Sequence, residues 1–335
     1  MGNDLRTYSH VLSLALEPWA MTRPMVATIA HVLAHHLAGR PLDLSTLERH
    51  EPVALQVMPA PTAAPAQGVA IVPVHGVIAP RMSAFTDISG GATFEQAKQD
   101  VRKALAHAGV GTIVLDLDSC GGSVLGASEF AHFLLQAREQ KPIIAAGNFT
   151  MASAAYWIGA CASEVVWAPS AMGGSIGVYS IHEDLTEMLA ELGVKLTYIS
   201  AGKWKVDGID GGALTETGAA RLKAHVDAHY TRFITDVAAG RKVTADAVRN
   251  GFGEGAVVNA DDALALGMID RIETLDETLA RIAATAPSPT ATAIGAVDPP
   301  ASLPAATSQE PAQATDQERA RVCRELETAF LGLGL

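Results

Sequence analysis

The stretch Asn148-Phe149-Thr150-Met151-Ala152-Ser153-Ala154-Ala155-Tyr156-Trp157 decides how this chain is read. It follows the apolar run Pro142-Ile143-Ile144-Ala145-Ala146-Gly147, which has the length and composition of a buried strand. It leads into an alanine-rich segment, 154–162, that predicts a helix. Ser153 therefore stands where a strand hands over to a helix. A serine flanked by small residues at such a junction can expose its hydroxyl in a cleft, with the unsatisfied first amides of the helix beside it. The same position also suits an ordinary helix-capping serine, so the surrounding chain has to separate the two.

Outward from that stretch, strands and helices alternate. Val69 to Val74, Gly111 to Leu117, Glu164 to Ala168 and Lys195 to Ile199 read as strands. Segments 93–107, 125–139 and 182–192 read as helices between them. Alternation of this kind implies largely parallel strands with crossover helices, an α/β core. A long helix is predicted from Thr215 to about Ala239, capped by Thr215. Leu222, Val226, Tyr230, Phe233 and Val237 lie along it as one apolar stripe. Two short helices near 246–250 and 260–266 and a closing strand at 268–272 complete the domain near residue 285.

The flanks differ in composition. Residues 1–51 are expected to form a small helical lead, and 52–67, rich in proline and alanine, an extended linker. The main domain is assigned to 68–284. Segment 285–315 carries Ala, Pro, Thr and Ser without apolar periodicity and reads as a disordered linker. At 316–335 a helix is predicted with Val322, Leu326 and Phe330 on one face. It suits docking on a partner or packing back on its own domain.

Composition narrows the function classes. With 335 residues, 49% hydrophobic and 18% charged, the chain can bury a sizeable core. A formal net charge of −12 speaks against general affinity for nucleic acid or anionic membranes. Three cysteines, Cys120, Cys161 and Cys323, form neither a disulfide framework nor a zinc pattern, and a reducing cytoplasm fits them. No secretory signal or apolar span is apparent, so a soluble protein is expected. His31 and His35 are spaced for one face of a helix but lack an accompanying carboxylate signature. No metal and no cofactor are expected.

Two further stretches bear on Ser153. Asp118-Ser119-Cys120-Gly121-Gly122-Ser123-Val124 closes one strand and opens the next helix, and its paired glycines let an amide approach a ligand closely. Ser200-Ala201-Gly202-Lys203-Trp204-Lys205-Val206-Asp207-Gly208 offers two lysines. Either is a solvated surface charge or, if buried, a base whose neutral form desolvation favours.

Taken together, Gly121-Gly122-Ser123-Val124, Ala152-Ser153-x-x-Tyr156, Gly174-Ser175-Ile176-Gly177-Val178 and Gly202-x-x-Lys205 resemble, in order and approximate spacing, the S49 signal-peptide-peptidase (protease IV) family. The resemblance covers roughly residues 68 to 280. It implies a Clp protease/crotonase-like fold and a serine endopeptidase with a Ser-Lys dyad. Ser153 would then be the nucleophile and Lys205 the general base, with Lys203 as its rival. The amides of Gly122 and Ala154 would form the oxyanion hole, with Gly121 in reserve. Two departures stand out: Ala154-Ala155 replaces the family's usual Gly-Gly, and Val206 separates Lys205 from Asp207.

With its helical lead and tail, the chain looks most like the phage capsid-assembly (minor capsid protein C) branch. That branch implies flexible scaffold, capsid or portal polypeptides as substrates or partners, a homo-oligomer, and a location in the host cytoplasm or procapsid interior. Two readings from other classes share the same features. One is a crotonase-like acyl-CoA enzyme, which needs no Ser-Lys pair; the other is a catalytically silent scaffold or portal-associated protein.

Overall fold

A computed structural model describes residues 19–22, 56–58, 68–81, 91–182, 184–208 and 212–285. The disordered linker and docking helix expected beyond 285, together with His31 and His35, lie outside the described residues. In chain order the strands are β1 (Trp19–Met21), β2 (Gln56–Met58), β3 (Gly68–His75), β4 (Ile78–Ala79), β5 (Ala92–Thr93), β6 (Val110–Ser119), β7 (Gly121–Ser123), β8 (Ile143–Ala152), β9 (Glu164–Trp167), β10 (Met172–Gly174), β11 (Val257–Asn259) and β12 (Arg271–Ile272). The helices are α1 (Phe94–Ala106), α2 (Ala127–Ala137), α3 (Ala154–Gly159), α4 (Thr186–Glu191), α5 (Glu216–Arg241), α6 (Ala245–Gly251), α7 (Ala260–Ala265) and α8 (Leu275–Thr285).

The main sheet runs in the order β11-β10-β8-β6-β3-β2, with β9 also paired to β8 and β12 paired to β9. Pairs β3/β6, β6/β8, β8/β9 and β8/β10 are all parallel, as the alternation of strands and helices implied. The central strands are Val- and Ile-rich and fully buried at Ile113, Leu115, Leu117, Ile143 and Val165, which suits a sheet covered on both faces. On one face α1, α2, α3 and the C-terminal part of α5 join the large core; on the other, Leu275, Leu279 and Ile282 of α8 pack on Val114, Ile144 and Val166. A second, smaller sheet, β1-β7-β4-β5, branches off where β6 ends and carries the paired glycines.

Local signals explain the helix starts. Thr93 Oγ1 accepts the Gln96 amide and Thr215 Oγ1 the Gly218 amide, capping α1 and α5. Along α5 only the C-terminal half of the predicted stripe, Phe233 and Val237, is fully buried; Leu222, Val226 and Tyr230 are half-buried.

Three expectations need correction. Within the N-terminal lead, where a helix was expected, Trp19–Met21 is a strand. Within the proposed linker, Gln56–Met58 is a strand on the edge of the main sheet, antiparallel to β3. Residues 195–199 are not a strand: among the described residues no neighbouring edge pairs with them, and Ile199 is 98% exposed. A backbone without a hydrogen-bonding partner has no ladder to join, whatever its side-chain pattern.

Candidate active site

Strand β8 does not stop at Gly147; it continues to Ala152, where Met151 and Ala152 pair with Gly173 and Gly174 of β10. Ser153 is the next residue and the N-cap of α3. Its backbone is at φ 54°, ψ −117°, a conformation that L-residues rarely adopt. Two hydrogen bonds hold it there: its N–H donates to Gly174 O at 2.7 Å, and its C=O accepts the Trp157 amide at 2.8 Å. Strain kept by over-determined surroundings is a mark of functional sites. The Ser153 side chain is buried, the residue being 1% exposed, and its Oγ has no hydrogen-bond partner among the described residues.

Helix α3 is short and depends on what lies behind it. Trp157 stacks on Phe233 of α5, with ring centroids 4.4 Å apart and 7° between planes. Its indole N–H donates to Asp236 Oδ2 at 2.9 Å, and Ser128 Oγ of α2 donates to the same oxygen at 2.8 Å. Tyr156 O–H donates to Met268 O at 2.8 Å, and burial pushes its phenol far above the ordinary range. Arg138 closes the far end, donating to the carbonyls of Ala162 and Gly240. Helix α3, and with it Ser153, is thus pinned to α2, α5 and the 268 turn.

The paired glycines reach the serine from the second sheet. Gly121 is at φ 103°. A β-carbon there would overlap the carbonyl oxygen of Ala20 and lie 3.0 Å from Ser153 Cβ and 3.1 Å from the Ala154 amide nitrogen. The Ser153 side chain, the Ala154 N–H and the Ala20 carbonyl therefore converge on the space that a glycine leaves empty. Ala154 is the first helical residue, so its N–H has no partner within α3. The Gly121 N–H is already engaged, donating to Ser119 Oγ at 3.1 Å, while Ser119 Oγ donates to Gly76 O at 2.5 Å. Gly122 pairs with Ala20 on one side and with Ile78 on the other. Next to the glycines, burial raises the Cys120 thiol to about 11.

Neither lysine is hydrogen-bonded to the serine. Lys205 is exposed, in a turn closed by its own N–H on Gly202 O at 3.1 Å, and no hydrogen bond joins it to Ser153. Lys203 is also exposed, with Nζ over the Trp204 ring at 4.2 Å. Asp207 accepts from Thr215 and Thr217 and so secures the start of α5. Of the residues singled out by sequence, Ser153, Ala154 and Gly121 are brought together and Gly122 adjoins them, while Lys205 is not joined to them. Sequence reasoning missed Ser119, Asp236 and Ala20. Ser119 lies inside the glycine stretch already singled out, whereas nothing in the local pattern marks Asp236 or Ala20.

Residues 136–287 match the model of peptidase family S49. It is 31% identical over 205 residues to the head-tail preconnector protein GP5 of Enterobacteria phage P21, covering 61% of this chain and 40% of that protein. It is 28% identical over 289 residues to capsid assembly protease C of Escherichia phage lambda, covering 81% of this chain and 64% of that protein. The chain thus spans less than two thirds of the length of either relative. Among solved structures it is similar to the 1510-N membrane protease specific for a stomatin homolog from Pyrococcus horikoshii, with a TM-score of 0.38 and 13% identity over 63% of this chain and 76% of that one. Among the described residues no helix is long and apolar enough to cross a membrane.

Proposed function

We propose that the chain is a serine endopeptidase in which Ser153 Oγ attacks a peptide carbonyl. The resulting oxyanion is received by the amides of Gly122 and Ala154; the Gly121 amide is taken up by Ser119. Lys205, as a neutral amine, takes the serine proton and delivers it to the leaving amine, after which water hydrolyses the ester. The chemistry needs no metal and no cofactor. The observation that carries this reading is the convergence of the strained Ser153 and the first helical amide, that of Ala154, on the gap at Gly121. The S49 match, which takes in Ser153 and Ala154, supports it.

A lysine works as a base only when it is shielded from water. The exposed segment bearing Lys205 must therefore be covered, and a second copy of the chain is the cover we propose. Leu192, Val194, Leu196, Tyr198, Ile199 and Trp204 all stand exposed along that segment, an apolar run of the kind that marks a protein contact. The dyad would then form between copies as they assemble into a homo-oligomer, with Lys205 of one copy reaching Ser153 of its neighbour. Given the phage relatives, the substrates proposed are flexible scaffold, capsid or portal polypeptides, cut in the cytoplasm or inside a procapsid.

The test is to incubate wild type, Ser153→Ala, Lys205→Ala and Lys203→Ala with unfolded casein and with phage scaffold protein, following fragments by mass spectrometry. The reading expects cutting by wild type and Lys203→Ala only. Cutting by Lys205→Ala but not by Lys203→Ala would transfer the base role to Lys203. If no form cuts either substrate, the chain is a silent scaffold component.

A further inference from the structure

The cleft in front of Ser153 is filled by the chain itself. Strand β1 lies between two edges: it runs antiparallel to β7, with Trp19, Ala20 and Met21 opposite Ser123, Gly122 and Gly121, and it meets Tyr179 on its other side. Trp19 exchanges two backbone hydrogen bonds with Tyr179, at 2.9 and 3.1 Å, and the Thr22 N–H donates to Cys120 O at 3.1 Å. Successive residues of a strand point their N–H and C=O groups to opposite edges. With Trp19 directed to Tyr179 and Thr22 to β7, Ala20 directs its own pair to β7. Its carbonyl oxygen accordingly sits at the gap of Gly121, beside Ser153 and the Ala154 amide.

Side chains reinforce this seating. Trp19 and Met21 point to one face and bury themselves with Val77, Cys120 and Tyr179 in a small apolar cluster of their own. Ala20 points the other way into the main core and is 0% exposed. We infer that Trp19–Thr22 occupies the track of a peptide substrate, an extended strand added to β7 with a small residue at the acyl position. The segment holds the site closed until it is withdrawn. The inference rests on the Ser153 reading above for what the track serves, but not for the fact of occupancy.

Binding is tested in a Ser153→Ala background, where nothing is cut. The probe is a fluorescein-labelled peptide with the sequence of residues 16–25. In the full chain, Trp19→Glu combined with Met21→Glu buries two charges and expels β1, leaving the track open. The opened chain is expected to bind the peptide about tenfold or more tighter than its Ser153→Ala parent, because the parent pays the cost of displacing its own strand. Equal affinity for the two chains, or binding to neither, overturns the inference. Should the double variant not fold, hydrogen exchange on the Ser153→Ala chain decides. Excess peptide should accelerate exchange of the Trp19 and Thr22 amides, and unchanged exchange refutes occupancy. Casein turnover is read separately, with Ser153 restored, and is expected to rise in the opened chain. Peptide exchange without any turnover would uphold the occupancy and sink the peptidase reading alone.

Discussion

Replacing Gly121 by alanine should disable the site through the one carbon it adds. At φ 103° an L-residue is strained by about 1–3 kcal/mol. The new methyl would overlap the Ala20 carbonyl oxygen and press on Ser153 Cβ at 3.0 Å and the Ala154 nitrogen at 3.1 Å. Backbone cannot yield as a side-chain tip does, so β1 must leave and the oxyanion position is blocked for any substrate as well. Losing a single oxyanion donor costs about 10²–10³ in turnover, and obstruction of the whole position should cost no less. Casein kcat/KM is therefore expected to fall about a hundredfold or more, with the melting midpoint lowered by several degrees for a domain of this size. Gly177→Ala is the control, since none of the described residues lies within 4 Å of a β-carbon there, and it should match wild type. A Gly121→Ala chain that cuts casein at the wild-type rate would refute the placement of the oxyanion beside Gly121.

Other outcomes follow from the same geometry. Asp236→Ala strands the Trp157 indole N–H and the Ser128 hydroxyl in the core, and should cost about 2–4 kcal/mol in denaturant unfolding. Cys120, with its thiol raised to about 11 by burial, should resist alkylation at neutral pH, and mass spectrometry should find it labelled faster once Trp19→Glu and Met21→Glu expel the strand covering it. The hydrogen bond of His75 to Asp116 raises the histidine pKa above 6.5, against the opposing effect of burial. A raised folded-state value means stability that is fully present below the unfolded value and lost as pH rises through the folded one. The melting midpoint of wild type should thus exceed that of His75→Gln by more at about pH 5.5 than at about pH 8.5, and an unchanged gap would contradict the His75–Asp116 link.

Much of the frame was legible because burial and periodicity agree there. The runs at 111–117 and 143–147 are too apolar for anything but a covered strand, and Thr215 announced the start of α5. The strand-to-helix junction at Ser153 was visible for the same reason. What the pattern hid depends on partners distant in sequence. Trp19–Met21 has three residues and no period to detect, and it is a strand only because β7 and Tyr179 offer it two edges. Residues 195–199 show the converse: apolar residues suited to a strand, with no edge among the described residues to receive them. The engagement of Gly121 by Ser119, which separates it from Gly122 as an oxyanion donor, is a matter of hydroxyl position that no spacing encodes.

Catalysis as proposed requires Ser153 and Lys205, which share no hydrogen bond in the single chain, to meet. The most direct measurement mixes Ser153→Ala with Lys205→Ala, each inactive alone, allows the copies to exchange, and follows casein cleavage. If serine and lysine meet between copies, cutting should return at about a quarter of the wild-type rate, the fraction of sites that random mixing completes. A mixture that stays inert beside an active wild type, with exchange of copies verified, would contradict it.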